Sequence, residues 1–334
     1  MTLTTSPLDQ KRHYTASLWS FSFWLAQIMT GLFLLGILSY TLNLQFEGLI
    51  DICTHGNLVF ITRVTHMLGS NFALVFLILH IFKSTSFTRV LCVGKSMVWI
   101  LGVLVFIIAL GTAFTGYVLV AGNMSFWAAI VILNLATIVP VLADAAIPCL
   151  LGDAVLSSFG IRRFAVLHFA LALLSLGLVF SHIIMLHRTV PSANGHYASD
   201  GYFSISHVLA RDAVYIGTIF CFVFSADFWD LIHPDNWNAF DLVATPSHIE
   251  PEVYFLWTFS IIKLHNSKLA GALIHCWYDI YYWLVFTLRH LRHCSKPTLY
   301  LQFCLQYFFN NWYGAIINTR HFLFAKLFDA DNPV

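Results

Sequence analysis

Residues 163–187 read RFAVLHFALALLSLGLVFSHIIMLH, and two histidines inside this apolar run, His168 and His182, are fourteen positions apart. The run is long enough to cross the hydrocarbon layer of a bilayer as a helix. An α-helix turns about 100° and rises about 1.5 Å per residue, so fourteen steps end within about 40° of a whole number of turns and about 21 Å further along the axis. The two imidazoles therefore share one face, one toward each end of the span. An ionisable side chain inside a membrane is costly and needs a partner or a task.

The spacing recurs. Residues 61–80 read ITRVTHMLGSNFALVFLILH, and His66 and His80 are again fourteen apart in an apolar run. Side by side, two such helices would clamp two flat cofactors, one near each membrane face, each metal taking one imidazole from each helix. Four unrelated core histidines are the bland alternative, and identical spacing in two spans argues against it. Imidazole on both axial positions of a haem iron leaves no open site for oxygen, which suits electron transfer.

A chain of 334 residues could form two soluble domains, but 59% of its residues are hydrophobic, only 10% are charged and phenylalanine alone accounts for 31. This is the composition of an all-α, polytopic membrane protein. The net charge of +1, without a basic tract, gives no reason to expect nucleic acid. The seven cysteines form no C-x-x-C pair, so covalent haem attachment and an iron–sulfur site within this chain are unsupported. The polar N-terminus, followed by an apolar segment too long for an h-region, does not read as a cleavable signal.

Apolar runs predict about seven spans, near 18–42, 61–82, 97–120, 163–187, 207–228, 269–291 and 298–317. Residues 1–17 read as a surface tail or short amphipathic helix. The broken apolar pieces of 121–162 read as short helices lying on the membrane surface, and 229–268 as a long loop. Two sections follow: a four-helix histidine core with its surface helices over 1–206, and C-terminal helices with the long loop over 207–334. Basic residues such as Lys11, Arg12, Lys83, Arg89, Lys95 and Arg188 fall on one side of this topology. Acids such as Glu47, Asp51, Asp144, Asp230 and Glu252 fall on the other. The bias puts the N-terminus inside. His66 and His168 then form an outer pair, and His80 and His182 an inner pair.

Three further segments carry a family resemblance. QIMTG at 27–31, GYVLVAGNMSFW at 116–127 and TPSHIEPEVYFL at 245–256 resemble the first helix, the Pro-Trp-Gly-Gln-Met-Ser-Phe-Trp segment and the Pro-Glu-Trp-Tyr region of mitochondrial-type cytochrome b. That family is the core subunit of ubiquinol–cytochrome c oxidoreductase, respiratory complex III. The resemblance implies two non-covalent, bis-histidine haems b inside the four-helix core, with His66, His168, His80 and His182 as metal ligands. It implies transmembrane electron transfer from ubiquinol to quinone at the opposite face, coupled to proton translocation in a Q cycle. It implies a mitochondrial inner membrane, a Rieske iron–sulfur protein, a cytochrome c-type subunit and other complex III subunits as partners, a homodimeric complex and surrounding lipids.

Residue by residue, the resemblance implies that Glu252 accepts a quinol proton beside Tyr254, with Phe126 and Ala129 in the segment lining the same outer pocket. It implies that His187 and Asp212 serve the inner quinone site, and that Arg63 and Lys83 pair haem propionates. Gly31, Gly102 and Gly116 stand where the family uses glycine to let a porphyrin approach the backbone. A fourth glycine is expected where Ser17 stands, so that end of the first helix is expected to sit differently. Val120-Ala121, Ala128, Val253 and Phe259 depart from the family around the outer pocket, which implies a changed pocket shape. The family's eighth helix is expected to be absent or truncated. The alternatives are a two-haem transmembrane ferric or ascorbate-type reductase, which would use similar histidine pairs without the Pro-Glu-Val-Tyr loop, and a proton-coupled transporter without haem.

Overall fold

The computed structural model describes residues 15–41, 57–87, 96–137, 147–152 and 156–189, then 210, 212–218, 220–221, 233–246, 249, 251–256, 259 and 269–270. Helices dominate: α1 (Thr15–Thr41), α2 (Asn57–Phe87), α3 (Ser96–Val118), α4 (Asn123–Ala136), α5 (Ile147–Leu151) and α6 (Ser158–Thr189). Four of them, α1, α2, α3 and α6, are long and apolar enough to cross a membrane, so the chain is a multi-pass membrane protein. They contain no proline, which would remove a ladder hydrogen bond that nothing in hydrocarbon could replace. The four predicted spans in this region are helices, and α1, α2 and α6 run longer than the apolar runs alone suggested. Thr15 and Ser17 belong to α1, not to a surface tail, and α6 begins at Ser158.

α6 starts where Ser157 caps it, its Oγ accepting from Gly160 N–H at 3.3 Å; a serine hydroxyl is a preferred N-cap acceptor. The two short helices α4 and α5 match the surface helices expected between the third and fourth spans. Beyond α6, residues 212–218 and 220–221 are helical. The rest of the fifth span, the sixth and seventh spans and the eighth-helix expectation lie outside the described residues.

α1 packs along α2, and α3 along α6. The two hairpins are tied together by Trp24 on α1, whose indole N–H donates to Ser175 Oγ on α6 at 3.2 Å. Many large apolar side chains on these helices, among them Met29, Val166 and Leu173, are exposed, as lipid-facing residues of a spanning helix should be. One enclosed core gathers where α3, α4, α5 and α6 meet: Val118, Phe126, Ala129, Leu133, Ile147, Leu156 and Phe164. A second forms around Phe23 on α1, on which Phe72 and Phe76 of α2 and also Phe220 stack.

A loop from late in the chain caps α4. Gly122, at its N-terminus, has no side chain to cap with. Asn236 supplies the missing acceptor, its Oδ1 taking Ser125 N–H at 2.9 Å, while Asn123 N–H donates to the Asn238 carbonyl at 2.8 Å. Gly122 and Ala239 make an isolated antiparallel bridge. Just before it Ala121 has φ of 53°, a left-handed conformation that costs a non-glycine residue about 1 kcal/mol or more. A Cβ on Gly122 would run into the Asn236 backbone carbonyl. Gly122→Ala is expected to lower stability by about 1–3 kcal/mol through that clash, and Asn236→Ala by about 1 kcal/mol through the lost cap. Thermal unfolding in detergent checks both, and unchanged midpoints would mean that the loop does not dock there.

Candidate functional site

α2 and α6 bring four histidines together in two layers. The ring centroids of His66 and His168 are 6.3 Å apart, and those of His80 and His182 are 6.5 Å apart. These are the pairs expected from the topology. Two metal–imidazole bonds of about 2 Å each, with the ring radii added, come to roughly the same separation. Among the described residues no group of three or more His, Cys, Asp or Glu side chains could hold a metal ion. A metal held here would therefore draw its other ligands from its own macrocycle.

The surroundings fit a flat group. A Cβ on Gly31 of α1 would stand 3.2 Å from His66 Cε1, one on Gly116 of α3 2.6 Å from His168 Cε1, and one on Gly102 of α3 3.2 Å from His182 Cε1. Bare backbone at these positions lets each ring lie against the neighbouring helix. On both helices the two relevant positions are fourteen apart, 17 and 31 on α1 and 102 and 116 on α3, matching the histidine spacing. The fourth position is Ser17. It sits in register opposite His80, with its Oγ 2.7 Å from His80 Nδ1.

Hydrogen bonds fix which ring nitrogen is left over. Thr30 Oγ1 lies 2.7 Å from the Ala26 carbonyl, to which it donates, and 2.8 Å from His66 Nδ1. With its proton committed to Ala26, the hydroxyl accepts from His66 Nδ1–H. His168 Nδ1 is 2.8 Å from the Thr112 carbonyl, which can only accept. Both outer imidazoles thus carry their proton on Nδ1 and keep the Nε2 lone pair for a metal, the arrangement in which outer hydrogen bonds orient a metal-ligating histidine. His182 Nδ1 is buried and turned toward the Val98 carbonyl, short of hydrogen-bond geometry.

A second group forms at the late loop. Pro251 and Glu252 lead into a tight turn, Val253–Phe255, that packs against α2. Asn71 of α2, only 5% exposed, hydrogen-bonds the Glu252 carboxyl through its side chain. Burial pushes the Glu252 carboxyl up to about 7, and the Asn71 bond, which favours the ionised form, offsets only part of that rise. The buried Tyr254 phenol is pushed well above its ordinary value, first by burial and then by the charges of Glu252 and Tyr117. Phe255 meets Phe114 edge-on at 6.4 Å, and Phe114 packs against the core holding Phe126 and Ala129. Phe126 stacks on Phe240 at 4.4 Å. Phe114 thus links the turn to the core that holds the buried Phe126 and Ala129.

The other expected residues are placed less fully. The Arg63 guanidinium lies over the Trp237 ring, 5.6 Å from its centroid. Asp212 is partly buried in the helical stretch 212–218. The side chains of His187 and Lys83 lie outside the described residues. Sequence reasoning missed Thr30, Thr112 and Asn71. One signal was available: Gly31 and Gly116 are both preceded by threonine, and Thr115 Oγ1 lies 3.4 Å from His168 Nδ1.

Comparison with known proteins follows this geometry. Residues 4–190 match the family model Cytochrome b/b6/petB, and residues 239–325 match Cytochrome b(C-terminal)/b6/petD. A relative described as cytochrome b, from Myzostoma seymourcollegiorum, is 30% identical over 256 residues, 75% of this chain and 67% of that protein. In three dimensions the chain is similar to one from a structure described as hyperthermophilic respiratory complex III, with a TM-score of 0.69. That match is 21% identical and covers 87% of this chain and 76% of the other, a likeness of fold.

Gly116→Val is expected to drive the His168 ring away from α3 and empty the outer histidine layer, while His80 and His182 keep theirs. The reduced-minus-oxidised spectrum of the purified protein should then show about half the haem per chain. Full haem content in the variant would contradict the cradle.

Proposed function

The chain belongs to the cytochrome b/b6 family, and on that premise we propose that it carries electrons across a respiratory membrane as the cytochrome b subunit of a ubiquinol–cytochrome c oxidoreductase. The observation that carries this reading is the pair of histidine layers, with centroids 6.3 and 6.5 Å apart, on helices that cross the membrane. Two non-covalent haems b, when bound there, supply one-electron carriers at two depths of the bilayer. His66 and His168 would hold one and His80 and His182 the other, with Nδ1 hydrogen bonds orienting His66 and His168. Gly31, Gly102 and Gly116 leave room for the macrocycle.

Glu252 and its neighbours account for the protons. Oxidising a quinol releases two protons with two electrons, so the oxidation site needs a base that is free to accept at working pH. A carboxyl pushed up to about 7 meets that need, since a general base works best when its pKa lies near the operating pH. Tyr254, Phe126 and Ala129 would shape the quinol pocket around it. At the inner face His187 and Asp212 would deliver protons to quinone, and Arg63 and Lys83 would neutralise propionates. One electron of each quinol would leave to a Rieske iron–sulfur partner and the other would cross the bilayer, a Q cycle that translocates protons. Moving each charge across the layer against the membrane potential costs about 2.3 kcal/mol per 100 mV, work that quinol oxidation must supply.

The setting implied is a homodimeric complex III in the mitochondrial inner membrane, with a cytochrome c-type subunit and further subunits. A ferric or ascorbate-type reductase would have no use for a buried carboxyl on a late loop, and Glu252 on α2 therefore favours the quinol reading.

Ubiquinol-dependent reduction of cytochrome c by membranes containing the complex tests this. Glu252→Gln is expected to lower the rate about a hundredfold, the scale of a lost general base. With the carboxyl raised from 4.5 to about 7, it is protonated and unable to accept below that value and ionised above it. The rate should therefore rise as pH passes through about 7, and this rise should vanish in Glu252→Gln. Asn71→Leu removes the bond that favours the ionised form, so the rise should move to higher pH. An unchanged profile in both variants would remove Glu252 from the chemistry.

A further inference from the structure

His80 differs from the other three histidines in the residue at the facing position of the neighbouring helix. On α1 and α3 the positions facing the histidines repeat every fourteen residues, and at three of them, Gly31, Gly102 and Gly116, there is no side chain. At the fourth, Ser17 places a hydroxyl 2.7 Å from His80 Nδ1. α1 is helical from Thr15 onward, and Ser17 keeps its register opposite the ring. We propose that Ser17 is a positioning residue that holds His80 in its metal-binding tautomer and helps to set the reduction potential of the inner haem. This inference rests on the reading of the histidine layers as haem sites.

The roles within the bond follow from the chemistry of the ring. With Ser17 at Nδ1, iron would be met by Nε2 of His80. A neutral imidazole that coordinates through Nε2 carries its hydrogen on Nδ1, so His80 must donate and Ser17 Oγ must accept. An acceptor on Nδ1–H moves electron density onto the ring and raises the basicity of the ligand. A more basic ligand stabilises ferric over ferrous iron and lowers the potential. The strength of the acceptor therefore matters. His168 donates to a backbone carbonyl, that of Thr112, at 2.8 Å. A serine hydroxyl is the weaker acceptor. Ser17 thus orients His80 while depressing the inner potential less than a carbonyl would.

The test is a redox titration of the haem spectrum of the whole complex, carrying Ser17, Ser17→Ala or Ser17→Thr. Alanine keeps the serine Cβ and removes only the hydroxyl, so nothing new crowds the ring. The midpoint of the inner haem should rise in Ser17→Ala by up to about tenfold in the ferric–ferrous equilibrium, about 59 mV for one electron. The outer midpoint should stay in place, and the low-spin ferric resonance of the inner haem should shift with the potential. Ser17→Thr restores a hydroxyl and should stay near the unsubstituted value. Loss of the inner haem from Ser17→Ala but not from Ser17→Thr carries the same conclusion through orientation. Two haems with unmoved midpoints in Ser17→Ala, equal shifts of both haems, or loss of the inner haem from both variants would overturn the proposal. Absence of haem from the unsubstituted complex would instead overturn the reading of the site on which it rests.

Discussion

An imidazole in hydrocarbon needs a partner at each ring nitrogen, and this requirement shapes the four spanning helices. There is no water to take up an unmade hydrogen bond, so each polar atom inside the layer must be satisfied by protein or ligand. For the outer pair, α1 and α3 meet half of the need: Thr30 and the Thr112 carbonyl take the Nδ1 protons of His66 and His168. The other half, the two Nε2 lone pairs, is left for a ligand between rings whose centroids are 6.3 Å apart. Glycine at 31, 102 and 116 follows from the same constraint, since a side chain there would crowd the rings. The helices thus serve as walls whose composition is dictated by what stands between them.

The late loop joins this scaffold at two places. Asn236 caps α4, and the Glu252 turn lies against Asn71 on the helix that carries His66. A carboxyl able to hold a proton near neutrality is thereby fixed beside the helix of the outer histidine layer. Burial raises its affinity for the proton, and the Asn71 amide keeps the ionised form within reach. The strained backbone at Ala121 and the core of Phe126 and Ala129 complete the wall of this region. The histidine layers and the Glu252 carboxyl are held by different elements, but α2 supports both.

How much of this was legible in the sequence depends on the range of the interaction. The spacing of His66 to His80 and of His168 to His182 could be read because helical periodicity is local and apolar length marks a span. The pairing of layers followed from topology, and the structure agrees with it. Ser17 was less legible, because the family resemblance implies a glycine there, whereas its hydroxyl lies 2.7 Å from His80 Nδ1. Such a contact depends on interhelical distance and rotamer, which a period does not encode. Asn71 was passed over because its partner, Glu252, lies far along the chain. The start of α6 at Ser158 was missed because a capping serine outweighed the charged pair Arg162 and Arg163 that follows.

The most direct measurement is a potentiometric titration of the reduced-minus-oxidised spectrum of the purified complex, repeated after His182 is replaced by a residue that cannot coordinate iron. Two layers of paired imidazoles predict two b-type components of different midpoint, with one of them lost in the substituted protein. A single component at the outset, two components of equal midpoint, or two that survive the loss of His182 would contradict the account.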